Sequence, residues 1–409
     1  MTCVRLVCIL VWALSACSTA STAPTDAGSD AGSDAGADAG SDAGFGPGGD
    51  GGLAATLAIL GDPDAGLGIF DPSVWYPSDA DAGAMVYSVV APDQNGVHTR
   101  IALSDDEGRS WRFAAEVNQA SAVSISTNDV AVCGQATCAG TLVHEVASLV
   151  IDPGDTPERR YQVFGHTYFT NTSAGGVVGL HPDIGVLSLF TAGAPAGPWT
   201  ETRLLGWSGT SAFSSDRVSQ DASTDPSLAG LRHCVALTEP GALLRRQGSA
   251  TVLDLALGCV FLANGGPQVE IDLIRSTDHG RTFHFVSTLL AADDALALGY
   301  PTPLLNAPDL FEWAGQTWLF ATPTGTARLP GGGTSGGYRG CLVFAMADLD
   351  AGTLQRNAGV PVVRASWTGA AEQFVGACTV AEGARMMGVA GDVLAQSPPL
   401  FGIFNTGPR

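Results

Sequence analysis

The chain has 409 residues and a formal net charge of −21, and all nineteen of its basic residues are arginine. An acidic surface without basic clusters excludes nucleic acids and anionic membrane surfaces as expected partners. Hydrophobic residues make up 45% of the chain, so there is ample apolar material for a folded core. The apolar runs are short and separated by Gly, Pro, Asp and Asn, which predicts an all-β fold of many short strands.

Residues 1–16 are predicted to be a signal peptide that is not part of the fold. Its apolar run, Leu6–Leu14, is too short to span a bilayer. The sequence Leu-Ser-Ala-Cys that ends at Cys17 resembles the lipobox of bacterial lipoproteins. This resemblance implies cleavage before Cys17, lipid attachment to its sulfur and, because Ser18 follows, a location at the outer membrane or cell surface. The alternative is an ordinary signal peptide that is cut nearby.

Residues 17–52 are predicted to form a flexible acidic linker. From Thr25 onward, the tetrad Asp-Ala-Gly-Ser/Ala repeats without any large apolar side chain, and its like charges repel one another. Such a segment behaves as an extended tether. A calcium-binding repeat is the alternative, but the spacing of the carboxylates falls short of the ligand density of a calcium loop.

The remaining residues, 53–409, contain a repeated pattern of an acidic or small residue, an apolar strand, a turn and a second apolar strand. Copies of this pattern recur about every 80 residues, with a shorter last interval, at Asp71, Ser148, Ser227, Asp309 and Gln373. Four strands at this spacing are typical of a propeller blade, so we predict a single β-propeller with five blades, or six as the alternative. The strand that begins at Leu53 is expected to complete the last blade and close the ring.

Two octapeptides, Ser104–Trp111 and Ser276–Phe283, share the pattern Ser-x-Asp-x-Gly-x-(Ser/Thr)-(Trp/Phe). In a tight turn, the Asp can accept backbone N–H bonds, the Gly can take a positive φ, and the aromatic ring can pack against the next strand. The pattern resembles the Asp box, or BNR repeat, of sialidases and related propellers, which implies a structural turn at the outer rim. The residues with this expected role are Ser104, Asp106, Gly108, Trp111, Ser276, Asp278, Gly280 and Phe283. Sialidase chemistry itself is disfavoured, because the Arg-Ile-Pro motif of sialidases is missing at 68–71.

Six cysteines remain after the signal peptide and Cys17, and an even number in an exported protein indicates disulfides. Neighbours in sequence favour the pairs Cys133–Cys138, Cys234–Cys259 and Cys341–Cys378. The second pair is expected to staple a hairpin whose tip is near Glu239. A metal site is the poorer alternative, because no His stands at a zinc-like spacing beside these cysteines. No cofactor is expected, and a structural calcium ion stays open.

The repeated pattern places a carboxylate near the start of each expected inner strand, around a central funnel. These carboxylates are Asp71, Glu145, Asp225, Asp309 and Glu372. Converging carboxyl groups suit glycoside hydrolysis, in which one protonates the leaving oxygen and another activates water or attacks the sugar. Crowding raises the pKa of at least one of them, as an acid that works at neutral pH requires.

The sequences Asp-Pro-Ser-Val at Asp71 and Asp-Pro-Ser-Leu at Asp225 resemble strand-start motifs of five-bladed glycosidases of the arabinanase and xylosidase type. The resemblance implies that acidic residues in successive blades act as base, pKa tuner and acid. It assigns these catalytic roles, in an order left open, to Asp71, Glu145 and Asp225. Asn306 stands where this family has Glu, so the acid role does not transfer to that position. The structural alternative is that Asp71 and Asp225 only start turns, as Asp before Pro often does.

Further side chains are expected to line the funnel and bind substrate, namely His144, His166, Tyr168, Asp309, Glu372 and Arg232. His166 and Tyr168 are two positions apart on one strand, so alternation places them on the same face. We therefore expect a monomeric, surface-anchored propeller that binds or hydrolyses carbohydrate. The alternatives are a non-catalytic surface module that binds a glycan or a protein, and a calcium-stabilised propeller with an empty funnel.

Overall fold

The fold is almost entirely β-structure, as predicted, and its sheets are arranged as a propeller. The computed structural model describes residues 56–77, 82–92, 96–126, 137–170, 185–207, 218–247, 250–263, 266–328, 334–367, 375–383, 386–393 and 400–405. The predicted signal peptide, the linker and Leu53 lie outside these ranges. No helix within them is long and apolar enough to cross a membrane.

The first three blades are sheets in which most neighbouring strands are antiparallel. Blade 1 contains β1 (Ile59–Leu60), β2 (Ile69–Trp75), β3 (Gly83–Val90), β4 (Val97–Ser104) and β5 (Trp111–Asn118). Blade 2 contains β6 (Ser121–Ser126), β7 (Thr137–Ile151), β8 (Tyr161–Thr170), β9 (Val186–Ala192), β10 (Thr200–Gly206) and β11 (Gln220–Asp221). Blade 3 contains β12 (Ala236–Gln247), β13 (Ala250–Ala263), β14 (Gly266–Ser276) and β15 (His284–Leu290).

The last two blades follow the same plan. Blade 4 contains β16 (Leu305–Trp313), β17 (Gln316–Arg328), β18 (Thr334–Tyr338), β19 (Cys341–Asp348), β20 (Thr353–Leu354) and β23 (Val363–Trp367). A small separate sheet joins β21 (Arg356–Asn357) and β22 (Val360–Pro361). Blade 5 contains β24 (Val375–Ala381), β25 (Met386–Val393) and β26 (Leu400–Asn405). The described helical segments are α1 (Ala292–Ala297) and three 3-10 turns at Ala65–Leu67, Pro157–Arg159 and Pro226–Leu231.

The ring is closed by both ends of the described chain. The inner strands β2, β7, β12, β16 and β24 contact one another in this order, and β24 contacts β2 again. Thr56 forms a bridge with Phe404 of β26, and the Leu57 amide donates to the Ile403 carbonyl at 2.7 Å. The chain then pairs β1 with β5 of blade 1. The cyclic order of five inner strands agrees with the predicted five blades, although blade 5 has only three strands among the described residues.

The strands inside each blade are apolar because the blades stack face to face. Every residue of β3 and of β9 is buried, so these strands do not alternate between apolar and polar side chains. A strand that is buried on both faces has a nearly continuous apolar sequence. Between blades 1 and 2, for example, Val86 and Ile101 pack in one core cluster with Leu149 and Val163.

The two octapeptide turns join the third and fourth strands of blades 1 and 3, counted from the inner strand. In the first turn, Asp106 Oδ1 accepts the Ser110 amide at 2.9 Å, and Ser104 Oγ accepts the Gly108 amide at 2.9 Å. The same hydrogen bonds recur in the second turn among Ser276, Asp278, Gly280 and Thr282. Both glycines have a positive φ, and both terminal aromatic rings, Trp111 and Phe283, are buried.

Two of the three expected disulfides are present, Cys234–Cys259 and Cys341–Cys378. The pair Cys133–Cys138 lies outside the residues whose side chains the structure describes. The expectation that Glu239 lies at a hairpin tip is wrong. Glu239 is inside β12, which continues until Gln247 pairs with Ala250 of β13.

Candidate functional site in the central funnel

Each of the five inner strands contains a β-bulge, and the five bulges lie around the propeller axis. The register shifts lie between Phe70 and Ser73, Glu145 and Ser148, Thr238 and Gly241, Asn306 and Asp309, and Gly376 and Thr379. In every bulge a non-glycine residue has φ between 45° and 49°, namely Asp71, Val146, Glu239, Ala307 and Ala377. This conformation costs an L-residue about 1–2 kcal/mol, so its fivefold repetition indicates that the ring imposes it.

The bulges surround a cavity at the centre of the ring. All five inner strands line it, with Asp71, Ser148, Pro240, Asp309 and Ala377 as one contribution from each. Ser73 and Ser148 also line it, and their hydroxyl oxygens are 3.4 Å apart. A proline follows the bulged residue in three of the five strands, where a bulge tolerates its missing N–H.

Three carboxyl groups from three successive blades meet beside this cavity: Asp71 of blade 1, Glu145 of blade 2 and Glu239 of blade 3. All three are at least nine-tenths buried. Burial raises the pKa of Asp71 well above its usual range, and the charges of Glu145 and Glu239 raise it further. Burial raises the pKa of Glu145 to about 7. It also raises the pKa of Glu239 to about 7, with a further contribution from the charge of Glu145. The funnel therefore holds carboxyl groups that keep protons near neutral pH.

Two tyrosines donate hydrogen bonds to the glutamates of this group. Tyr168 Oη donates to Glu145 Oε1 at 2.7 Å, and Tyr338 Oη donates to Glu239 Oε1. Each bond favours the ionised carboxylate, so it opposes part of the effect of burial on the pKa. The second oxygen of Glu239, Oε2, is buried without a hydrogen-bond partner among the described residues.

His144 is the inner end of a hydrogen-bond chain that crosses blade 2 from strand to strand. Its Nδ1 is 2.8 Å from Thr167 Oγ1, Thr167 donates to Ser188 at 2.8 Å, and Ser188 donates to Glu201 at 2.8 Å. The Thr167 hydroxyl donates its only proton to Ser188, so its oxygen must accept the hydrogen bond from His144 Nδ1. Burial lowers the pKa of His144 to about 3, so the ring is neutral with its proton on Nδ1.

His166 lies on the neighbouring strand, directly opposite Glu145 in the β7–β8 register. Its ring stacks on Tyr168 with 4.9 Å between the ring centroids. Neither ring nitrogen has a hydrogen-bond partner among the described residues, and burial lowers the pKa of His166 to about 3. The expected shared face of His166 and Tyr168 is therefore present, against the carboxyl group of Glu145.

Asp309 lies in the bulge of blade 4 and lines the cavity, as expected for a funnel residue. Burial raises its pKa to about 7.

The expected place of Asp225 at the start of an inner strand is wrong. Asp225 caps the 3-10 turn Pro226–Leu231 by accepting the Ser227 amide at 2.9 Å. Hydrogen bonds from the side chain and the backbone of Ser227 lower the pKa of Asp225. Arg232 is exposed at the end of the same turn and does not line the cavity. Glu372 lies outside the described residues.

The sequence analysis missed two residues of this site, Glu239 and Tyr338. Glu239 occupies in blade 3 the bulge position that Asp71 occupies in blade 1, and both precede a proline. The Glu-Pro pair was the available signal, but Glu-Pro-Gly also fits a hairpin turn. Tyr338 reaches Glu239 from β18 of blade 4, and this contact across 99 positions has no local signal in the sequence.

No family model matches the chain, and no curated protein matches it. Among solved structures, the chain is similar to the GH43 endo-arabinanase from Bacillus licheniformis, with 12% identity and a TM-score of 0.46, covering 85% of this chain and 96% of that one. It is similar to an endo-arabinase from Bacteroides thetaiotaomicron, with 13% identity, a TM-score of 0.44, and 86% and 97% coverage. A third is the GH32 β-fructofuranosidase of Bombyx mori, with 13% identity and a TM-score of 0.43. The match covers 79% of this chain but only 55% of the fructofuranosidase.

Proposed function

We propose that the funnel binds carbohydrate and hydrolyses glycosidic bonds with the carboxyl groups of Asp71, Glu145 and Glu239. The observation that carries this proposal is the meeting of these three buried groups from successive blades, with pKa values raised toward or above neutrality. Glycoside hydrolysis needs one carboxyl group that holds a proton and another that has lost it. Unequal environments within one site separate such a pair.

The surroundings of each group support a specific division of roles. Burial raises the pKa of Asp71 well above its usual range, the charges of both glutamates raise it further, and Asp71 is therefore the proposed general acid. Glu239 receives a hydrogen bond from Tyr338 that favours its ionised form, and its free Oε2 can take a proton from water or attack the sugar. Glu239 is therefore the proposed base or nucleophile. Glu145 tunes both, because its charge raises the pKa of Asp71 and of Glu239.

The test is an assay of sugar release from a broad panel of aryl glycosides, sialosides, and plant and bacterial polysaccharides. It would use a soluble form of the chain that begins at Leu53. We expect release from at least one substrate, and its loss in Asp71→Asn. Asp225→Asn is the matched control, because it makes the same substitution at an Asp-Pro sequence that caps a turn and does not line the cavity. Equal loss in both variants, with both folded, would argue against a funnel site.

Binding without hydrolysis is the second candidate function. It is favoured by Asn306, which stands on the bulge of blade 4 where the glycosidase motif has Glu. The side-chain oxygen of Asn306 accepts a hydrogen bond from Thr238 at 3.2 Å. In that case no panel substrate is cleaved, whereas calorimetry or a glycan array detects a ligand whose affinity falls in Asp71→Asn. Absence of both release and binding would leave the empty structural propeller.

The pH dependence of hydrolysis follows from the tuning role of Glu145. Activity needs ionised Glu239 and protonated Asp71, so it rises as pH passes the pKa of Glu239, about 7, and falls as pH passes the raised pKa of Asp71. Glu145→Gln removes the charge that raises both values. We therefore expect its pH–rate profile to move to lower pH on both sides. A profile that keeps its position, or moves to higher pH, contradicts the assigned role.

We further propose that the protein is a lipid-anchored surface protein of sialidase-like build. The two octapeptide turns support the Asp-box relation through their matching hydrogen bonds and their equivalent places in blades 1 and 3. The lipid anchor at Cys17 is supported by the sequence before it. Metabolic labelling with a radioactive fatty acid tests the anchor, and label that persists in Cys17→Ser would refute it.

A further inference from the structure

The disulfide Cys234–Cys259 of blade 3 is surrounded by side chains that bind metals. His233 Nε2 lies 3.7 Å from Cys259 Sγ and 2.7 Å from Glu270 Oε1. Both cysteines are buried, whereas the imidazole of His233 is half-exposed and can move. The other disulfide, Cys341–Cys378, provides a contrast. Among the described residues, its hydrogen-bonding side chain is the hydroxyl of Thr322, at 3.8 Å.

A buried carboxyl group near the same disulfide has one oxygen without a hydrogen-bond partner among the described residues. Asp272 is fully buried, and its Oδ1 accepts a hydrogen bond from Thr288 at 2.7 Å. Its Oδ2 has no hydrogen-bond partner among the described residues. One ligand atom each from Cys259, Glu270 and Asp272 lie within 4.8 Å of one another, as do those of His233, Cys234 and Cys259. A buried carboxyl oxygen without a partner is costly, and a cation next to it lowers that cost.

We propose that this disulfide has a second, reduced state in which Cys234, Cys259, His233 and Glu270 bind one Zn²⁺ ion. Two molecules of a small thiol reduce the S–S bond, which gives two cysteine thiols and one small-molecule disulfide. Zn²⁺ then binds both sulfurs as thiolates and releases their two protons. Asp272 lies next to this site as an acceptor for the ligands or for a bound water.

The spacing of His233 and Cys259 suits tetrahedral zinc. Zinc lies about 2.3 Å from sulfur and about 2.0 Å from nitrogen, so a tetrahedral site puts these two atoms roughly 3.5 Å apart. The observed 3.7 Å between His233 Nε2 and Cys259 Sγ is close to that distance. The main movement required is the separation of the two sulfurs once their bond is broken. Two thiolates with one imidazole form a ligand set that favours zinc over calcium or magnesium.

In both states the segment before β12 stays fastened to β13, covalently under oxidising conditions and through the metal under reducing conditions. When zinc is present, the link between this segment and β13 is therefore kept under oxidising and under reducing conditions. The disulfide Cys341–Cys378, which joins blade 4 to blade 5, has no comparable group of metal ligands among the described residues.

The test is a Co²⁺ titration of the whole protein after reduction with a phosphine and removal of the reductant without air. We expect a thiolate-to-cobalt absorption band at one equivalent, which Zn²⁺ abolishes, and no such band in the oxidised protein. The band should be lost in Cys234→Ser/Cys259→Ser and kept in the matched pairs Cys341→Ser/Cys378→Ser and Cys133→Ser/Cys138→Ser. A reduced wild-type protein without the band, or a band that survives Cys234→Ser/Cys259→Ser, overturns the proposal.

A second measurement guards against variants that fail to fold. His233→Ala leaves the disulfide intact, so its folding can be checked in the oxidised state before reduction. We expect its affinity for Zn²⁺, measured by competition with a chromophoric chelator, to fall by at least tenfold. Zn²⁺ should also raise the melting temperature of the reduced wild type but not that of reduced His233→Ala. Equal affinity and equal stabilisation in both proteins would rule out His233 as a ligand.

Discussion

Asp71→Asn is expected to lower kcat/KM for glycosides with a poor leaving group by about 100- to 10,000-fold, the usual contribution of general acid catalysis. Asparagine fills the same space but has no proton to give to the leaving oxygen. Aryl glycosides whose phenol leaves as a stable anion need little protonation, so Asp71→Asn should keep much more of its activity on them. The measurement compares kcat/KM for a series of aryl glycosides that differ in the acidity of the phenol.

Glu239→Gln should behave differently in the same series. If Glu239 is the base or nucleophile, its loss slows all substrates by a similar factor, whatever the leaving group. The reverse result, with Asp71→Asn uniformly slow and Glu239→Gln dependent on the leaving group, would exchange the two roles without removing the site. Asp225→Asn serves again as the control and should have the kinetics of the wild type, because its carboxylate only caps a turn.

Arg100→Met is expected to destabilise the fold by about 3–5 kcal/mol, the usual cost of removing one partner from a buried ion pair. Arg100 is almost fully buried and pairs with Asp62, Asp64 and Glu116. Methionine keeps the apolar contacts of the side chain but leaves three carboxylates close together. The Asp62 side chain, which also accepts a hydrogen bond from Tyr87, is completely buried. Urea unfolding at neutral pH gives the free energies of unfolding of the two proteins.

The matched control is Arg109→Met, on the octapeptide turn of the same blade. Arg109 pairs with Glu107 at 2.8 Å, but both side chains are largely exposed. Exposed pairs contribute less than about 1 kcal/mol, so the unfolding midpoint should barely move. A loss of similar size in both variants would mean that the buried cluster does not fasten the segment at Asp62 to blade 1.

Local patterns predicted much of the fold. The hairpins, the two octapeptide turns and the sequence-neighbour disulfides depend on residues that are close along the chain, and the spacing of the repeats predicted the ring. The bulges were not predicted from the sequence. Val and Ala normally avoid a positive φ, so the residue types at Val146 and Ala377 give no sign of this backbone conformation. Only the closed ring of inner strands requires that conformation.

The site was predicted in part for the same reason. Asp71 and Glu145 were placed in the funnel, whereas Asp225 was chosen in place of Glu239. Asp-Pro-Ser is the same local sequence at Asp71 and at Asp225, and it fits a bulge in an inner strand as well as the cap of a 3-10 turn. What distinguishes the two places is the course of the chain in blade 3, where the strand that faces the axis begins after the turn, at Ala236.

The pairing of Leu57 with Ile403 also sets an order of events during synthesis of the chain. A ribosome adds about 5–20 residues each second, so Leu57 waits roughly 20–70 s before its partner exists. During that interval blades 1 to 4 can form, but the ring is open and the inner faces of its first and last blades are uncovered. An open sheet face or edge is a surface on which a second nascent chain can pair. A chain that stops before β26 lacks the partner of Leu57 and keeps that surface uncovered.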